Sequence, residues 1–254
     1  MASWHPLDPR LHVEIIGRED APTVALLHGM MSTNRQWALN VDALSARLRL
    51  ALIELWGHGG SPAPAEVAAY GSVGLVAALD DVRASIGVES WAMVGHSYGG
   101  AVALHYARHR PSAVRAVVWT NSRAAMSTAG RRESAAVAAA IGDDPRSIAQ
   151  HPRNAKRLPP DLHEAMMRDA DRTDLGALRE LFRAHWELSS RDHLAALPMP
   201  VTLLDGRYER RFQDDVAWIR VNAPNVAIVE LEAGHSPNIE VPDAFDAAVL
   251  AALS

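Results

Sequence analysis

Apolar residues along this chain of 254 gather in short runs of two kinds. Leu11–Ile16 (LHVEII) alternates apolar and polar positions, the pattern of a half-covered strand. Thr23–Gly29 (TVALLHG) and Leu48–Leu55 (LRLALIEL) are largely continuous, which fits strands covered on both faces. SWAMVGH, AVRAVVWTN, PVTLLDG and NVAIVELE add four more runs of that buried type. Between them the period changes. Ser72–Gly87 carries apolar residues at helical spacing and stops at a glycine, and helical stretches follow Ser97, Phe212 and Pro242. Alternation of strand and helix predicts an α/β fold with a doubly wound, mostly parallel sheet.

One segment departs from the alternation. From Ser122 to Leu197 no strand pattern occurs, only helical pieces such as RRESAAVAAAIG, PDLHEAMMRDA and LGALRELFRAHWELS. Roughly 75 residues cannot be a structureless loop in a compact domain. Pro145, Pro152, Pro159 and Pro160 divide the stretch into short helices. The expected organisation is a core in two parts, residues 1–121 and 198–254, with residues 122–197 as a helical cap inserted after the sixth strand. A second independent domain is the alternative, for which the stretch is short.

Charge and composition narrow the partners. A net charge of −5 with interspersed signs gives no basic footprint for nucleic acid and no polybasic membrane patch. The chain has no cysteine, so disulfides, thiol nucleophiles and Cys-bound metals are excluded. MASWHPLDPR carries no apolar signal region, and no apolar run reaches the length of a membrane span. A cytoplasmic protein is expected, with no membrane or nucleic-acid partner.

Chemistry enters at WAMVGHSYGGAVALHYA. Gly95-His96-Ser97-Tyr98-Gly99 matches G-x-S-x-G between a buried strand and a helix, the context in which a serine hydroxyl is raised above the sheet edge as a nucleophile. A tight strand-to-helix turn would by itself also call for glycine. Ser97 then needs a base. Of the twelve histidines, His105 and His109 sit on the helix after the turn and His151, His163, His185 and His193 in the expected cap, but His235, in AGHSPNIEVPDAF, lies in a glycine-flanked turn after the last strand. A loop at the carboxyl end of such a sheet is where reactive side chains collect. The orienting acid should fall between Ser97 and His235 in sequence. Glu209 is the first choice, with Asp205 at the strand end in reserve and Asp214 or Asp215 on the next helix further behind. Backbone amides of Met30, after LLHG, and of Tyr98, after the nucleophile, are the expected oxyanion hole.

Taken together, HGMM, ELWGHGGS, GHSYGG, MPVTLLDGRYE and GHSPNIEVPDAF resemble the α/β-hydrolase fold family. The likeness is to its compact cap-bearing members, which include esterases, thioesterases and MenH-like or enol-lactone hydrolase relatives, and it runs from Val13 to Ala252. By motif, the resemblance implies Ser97 as nucleophile, His235 as base, Met30 and Tyr98 as oxyanion amides, and Glu209 at the position of the acid, where aspartate is usual. Glu54 also stands where the family has aspartate, and Trp56 where proline or arginine is common.

The machinery implies acyl transfer without cofactor or metal: a serine hydrolase cleaving an ester or thioester of a small acyl substrate. On the same fold, C–C bond hydrolysis or a lyase reaction using Ser97 and His235 for proton transfer is the alternative, and a non-catalytic ligand receptor comes behind it. Arg123, Trp56, Trp119 and Met126 are candidate substrate contacts; the three apolar ones, with Trp37 and Trp186, fit equally the wall of an apolar cavity or the core. Arg123 follows a strand end and could fork a carboxylate or phosphate, or pair with a nearby acid.

Overall fold

The computed structural model describes residues 10–155 and 158–254. Its sheet has seven strands: β1 (Val13–Ile16), β2 (Thr23–Leu27), β3 (Arg49–Ile53), β4 (Trp91–His96), β5 (Val114–Thr120), β6 (Val201–Gly206) and β7 (Val226–Leu231). They lie in the order β1-β3-β2-β4-β5-β6-β7. β1 runs antiparallel to β3, and every other pairing is parallel.

The continuous apolar runs of β2 to β6 are explained by a core on each face, whereas β7, read as another buried run, is a largely exposed edge strand. In β2, Val24 and Leu26 enter one core while Ala25 and Leu27 enter the other. β4 repeats this with Ala92 and Val94 against Trp91 and Met93, and β5 with Ala116 and Val118 against Val117 and Trp119. Helices α1 (Val41–Ser45), α2 (Ser72–Ser85) and α3 (Tyr98–His109) connect the first strands, and α4 (Thr128–Ala140), α5 (Pro160–Ala170) and α6 (Leu175–Ala184) lie between β5 and β6. α7 (Gln213–Asn222), α8 (Pro237–Glu240) and α9 (Pro242–Ala252) follow. Leu44 of α1 and Phe245 and Val249 of α9 cover one face, and α2, α3 and α7 cover the other.

The helical stretch leaves the sheet after the fifth strand, not the sixth. The five strand-like runs before Ser122 each form one strand, β1 to β5, so the insertion point lies one strand earlier than expected. Prolines act here as breakers and starters: Pro145 and Pro152 open short 3-10 turns, and Pro160 opens α5. Among the described residues no helix is long and apolar enough to cross a membrane.

Candidate active site

The turn after β4 is forced by close packing. Ser97 sits at φ 52 and ψ −118, a strained conformation for any residue but glycine. The chain can reach it because its neighbours lack side chains. A Cβ on Gly95 would lie 2.4 Å from the Gly99 carbonyl oxygen, and one on Gly99 would lie 2.2 Å from that of Leu27. The Ser97 amide donates to the Thr120 carbonyl at 2.9 Å, tying the turn to the end of β5.

His235 is held by side chains. Its carbonyl accepts from Asn121 Nδ2 at 2.9 Å and from His96 Nε2 at 2.8 Å. Asn121 also donates to the Gly234 carbonyl at 2.6 Å and accepts from the Gly206 amide at 3.3 Å. It stands at φ 43, which asparagine tolerates better than most residues. On the other flank, the Glu240 carboxylate accepts from the amides of Gly234 (2.9 Å) and Ser236 (3.1 Å). The His96 ring stands edge-on to His235, with centroids 4.8 Å apart.

Behind the imidazole, Glu209 Oε2 lies 3.3 Å from His235 Nδ1. This is an ion-pair distance, and Nδ1 makes no aligned hydrogen bond. Arg211 grips the same carboxylate in a fork, Nε to Oε1 at 2.9 Å and Nη2 to Oε2 at 2.7 Å. Burial pushes the Glu209 pKa up, but the Arg211 fork and the nearby His235 outweigh it and hold the carboxyl well below its ordinary range. Asp205 takes no part in this cluster. It belongs to β6, accepts from Gln213 Nε2 at 3.0 Å, and is pushed upward by burial.

The loop after β2 is set by two neutral histidines. The Leu55 amide donates to His28 Nε2 at 3.0 Å, so His28 Nδ1–H donates to the Gly29 carbonyl at 2.8 Å. Likewise the Met31 amide donates to His58 Nε2 at 3.1 Å, and His58 Nδ1–H donates to the Trp56 carbonyl at 2.9 Å. The Gly29 amide is taken by Gln36 Oε1 at 3.1 Å. Met30 lies between these committed amides, and among the described residues its own has no protein acceptor. Tyr98 opens α3, where the first amides have no carbonyl one turn back. Glu54 is accommodated in its loop: its carboxylate accepts from the amides of Asn34 (3.2 Å) and Gly60 (2.5 Å), beside Gly59 at φ 53.

Two cavities meet at the turn. The outer, about 480 Å³, is bordered by Ser97, His235, Glu209, Met30 and Met31, with residues 149–152 and Met166 from between β5 and β6. The inner, about 80 Å³, is bordered by Ser97, Tyr98, Arg123, Val137, Phe182 and His235, among others. Three expected substrate contacts fall elsewhere. Trp56 and Trp119 are 1% exposed within the core beneath α2 and α3, and Met126, also 1% exposed, borders neither cavity. Strand alternation points Trp119 inward with Val117, and an indole that size goes where packing is densest. Trp37 packs on Phe245, and Trp186 is surface-exposed beneath Arg131. Arg123 does border the inner cavity, but it is paired with Glu133 at 2.6 Å. Asn121, His96, Glu240 and Arg211 escape sequence reading; only the position of His96 inside the motif offered a hint.

Comparison with known proteins is decisive on family. The model of the alpha/beta hydrolase fold matches residues 22–217. The chain belongs to that family. It is 33% identical to epoxide hydrolase 3 of Xenopus tropicalis over 110 residues, 43% of this chain and 30% of that protein. It is 24% identical to carboxylesterase YbfK of Bacillus subtilis over 260 residues, 96% of this chain and 84% of that protein. The first curated relatives are matched over less than half of their own lengths. The enol-lactonase from Burkholderia xenovorans superposes with a TM-score of 0.83 at 22% identity, covering 96% of each chain, a likeness of fold.

Proposed function

We propose that this chain is a serine hydrolase that cleaves an ester or thioester through Ser97, His235 and Glu209, beneath a cap formed by residues 122–197. The observation that carries the proposal is the strained Ser97 turn opening where two cavities meet, with His235 on both cavity walls and Glu209 behind it. Ser97 Oγ gives its proton to His235 as it bonds to the carbonyl carbon, and the amides of Met30 and Tyr98 receive the oxyanion. Collapse breaks the bond to the leaving oxygen or sulfur, which takes the proton from His235. Water, deprotonated by His235, then releases the acid. Glu209, kept ionised by Arg211, supports the imidazolium.

Epoxide hydrolases among the relatives raise a second chemistry. The residue at the turn argues against it. A serine hydroxyl opening an epoxide forms an ether, which water and a histidine cannot cleave, whereas attack on a carbonyl forms an ester that they can.

The test is labelling by a fluorophosphonate alongside turnover of p-nitrophenyl esters and acyl thioesters. Ser97→Ala should abolish labelling. Ser97→Ala and His235→Ala should each lower kcat by roughly 10⁴-fold or more, with no further loss in the double variant. Turnover near wild type in either single variant overturns the assignment.

A further inference from the structure

The two cavities differ in their walls as well as in size. Glu209, Gly234 and Ser236 border only the outer one, so it lies on the side of the His235 loop. Tyr98, Val137, Phe182 and Phe212 border only the inner one, so it lies on the side of α3 and of the helices between β5 and β6. Acyl transfer dictates which half of a substrate goes where. The leaving atom collects its proton from His235, which borders both cavities; the larger one, bounded by the rest of the His235 loop, gives it a way out and water a way in. Of the two oxyanion residues toward which the carbonyl oxygen points, Met30 borders both cavities and Tyr98 only the inner one. Resting on the serine-hydrolase reading, we infer that the inner pocket is the acyl subsite and the outer cavity holds the leaving group, so that the substrates are esters of short, neutral acids with bulky alcohols or thiols.

Volume sets the length. At ~30 Å³ for each water-sized group in a condensed phase, the 80 Å³ of the inner pocket takes about three such groups, and the 480 Å³ outside takes several times as many. A butanoyl tail fits the inner space and a decanoyl tail overfills it. Phe182, 4% exposed and packed into the core, has little room to yield.

Charge sets the polarity. Both arginines on the inner wall already have carboxylate partners: Arg123 lies 2.6 Å from Glu133, and Arg211 is forked by Glu209. His185, on the same wall, is neutral at pH 7, because burial and then the nearby Arg123 lower its pKa to about 3. An anionic acyl group would have to break an ion pair to be held. Arg123 is therefore assigned to bracing α4 through Glu133, in place of the anion anchor considered from sequence.

The experiment compares kcat/KM for p-nitrophenyl acetate, butanoate and decanoate with that for acetate esters of methanol, benzyl alcohol and naphthol. Butanoate should exceed decanoate by about 100-fold, while enlarging the alcohol costs less than about tenfold. Val137→Ala should raise decanoate relative to butanoate, and Val137→Phe should lower butanoate relative to acetate. Equal rates on butanoate and decanoate, or Val137 variants that shift the alcohol preference, overturn the assignment. If no ester is cleaved and Ser97 takes no fluorophosphonate, the hydrolase reading falls on its own. The pocket is then read by saturation-transfer NMR with N-benzyl butanamide against N-benzyl decanamide: preference for the short amide supports the size limit, and equal binding overturns it.

Discussion

The turn bearing Ser97 and the loop bearing His235 border the same two cavities, yet they are held by different means. Around Ser97 the constraint is steric. Gly95 and Gly99 bring backbone against backbone so closely that no side chain fits, and the strained φ follows from the packing. Around His235 the constraint is polar. Asn121 and His96 reach in from distant parts of the sequence, and Glu240 from the helix just after the loop, to occupy the carbonyls and amides of residues 234–236. A steric turn is rigid and fails through folding. A clamped loop can lose a bond, stay folded and drift, so its failures should appear in rate.

Glu209 belongs to the polar side, and the largest effect is expected there. Glu209→Gln keeps the volume but removes the charge that orients the imidazole, and kcat should fall by about 10³- to 10⁴-fold. Asp205→Asn should leave kcat near wild type, since Asp205 bonds to Gln213 and lies outside both cavities. Steady-state kinetics of the two variants on one ester decide the matter. A greater loss in Asp205→Asn would move the acid to the end of β6 and undo the contrast drawn between turn and loop.

Acid tests a polar element on the opposite wall. Burial lowers the pKa of His28 to about 3, with a further push from His58, and that of His58 to about 4. Both are near 6.5 in the unfolded chain. Above about pH 7 neither state is protonated, and the rings make stability independent of pH. Below 6.5 the unfolded chain takes up protons that the fold refuses, and about 1.4 kcal/mol per ring is lost for each pH unit until the folded values are reached. The pair should thus lose roughly 4 kcal/mol by pH 5, out of a typical total of ~5–15 kcal/mol. His96 and His185, each lowered to about 3 by burial, act in the same direction. Urea unfolding at pH 7.5, 6 and 5 measures the slope. A flat profile would mean that the loop after β2 admits charged imidazole and that its hydrogen bonds are not fixed as described.

The same contrast explains what the sequence made legible. Ser97, Gly95 and Gly99 fall within five residues, and a steric turn is written in adjacent positions. Strands β2 to β6 were readable because two-sided burial leaves a continuous apolar run. The clamp on His235 spans 139 residues from His96 and 114 from Asn121, and nothing local marks either as a partner. Arg211 is only two residues from Glu209, yet its fork depends on how the following 3-10 turn folds. Side-chain type alone leaves Trp56, Trp119 and Met126 open between cavity wall and core. Which way an aromatic residue points follows from strand register and loop path, and here both lead into the core.

The smallest predicted effect is the most direct test of the comparison, because it pairs one substitution on each side. In Gly99→Ala, the new methyl would sit 2.2 Å from the Leu27 carbonyl oxygen and 2.6 Å from that of His28. Those are backbone atoms of β2 and of the loop that follows it, so they cannot rotate away. The loss should appear as stability, about 1–3 kcal/mol or more, with the remaining folded protein still taking fluorophosphonate. In Asn121→Gly, the positive φ of 43 becomes cheaper while all three amide contacts vanish. The His235 carbonyl keeps only its bond from His96, so the loop stays folded but is less well placed. Here kcat should fall about tenfold with KM little changed, the signature of an interaction felt in the transition state, and the melting temperature should move only slightly. Asn121→Asp, which keeps the acceptor to Gly206 but sets an anion against the carbonyls of Gly234 and His235, should do worse in rate than Asn121→Gly. Rates and melting temperatures for the three variants give the answer in one experiment. A Gly99→Ala enzyme that melts normally but turns over slowly, or an Asn121→Gly enzyme that melts early at full rate, would show that turn and loop are held by the same kind of force.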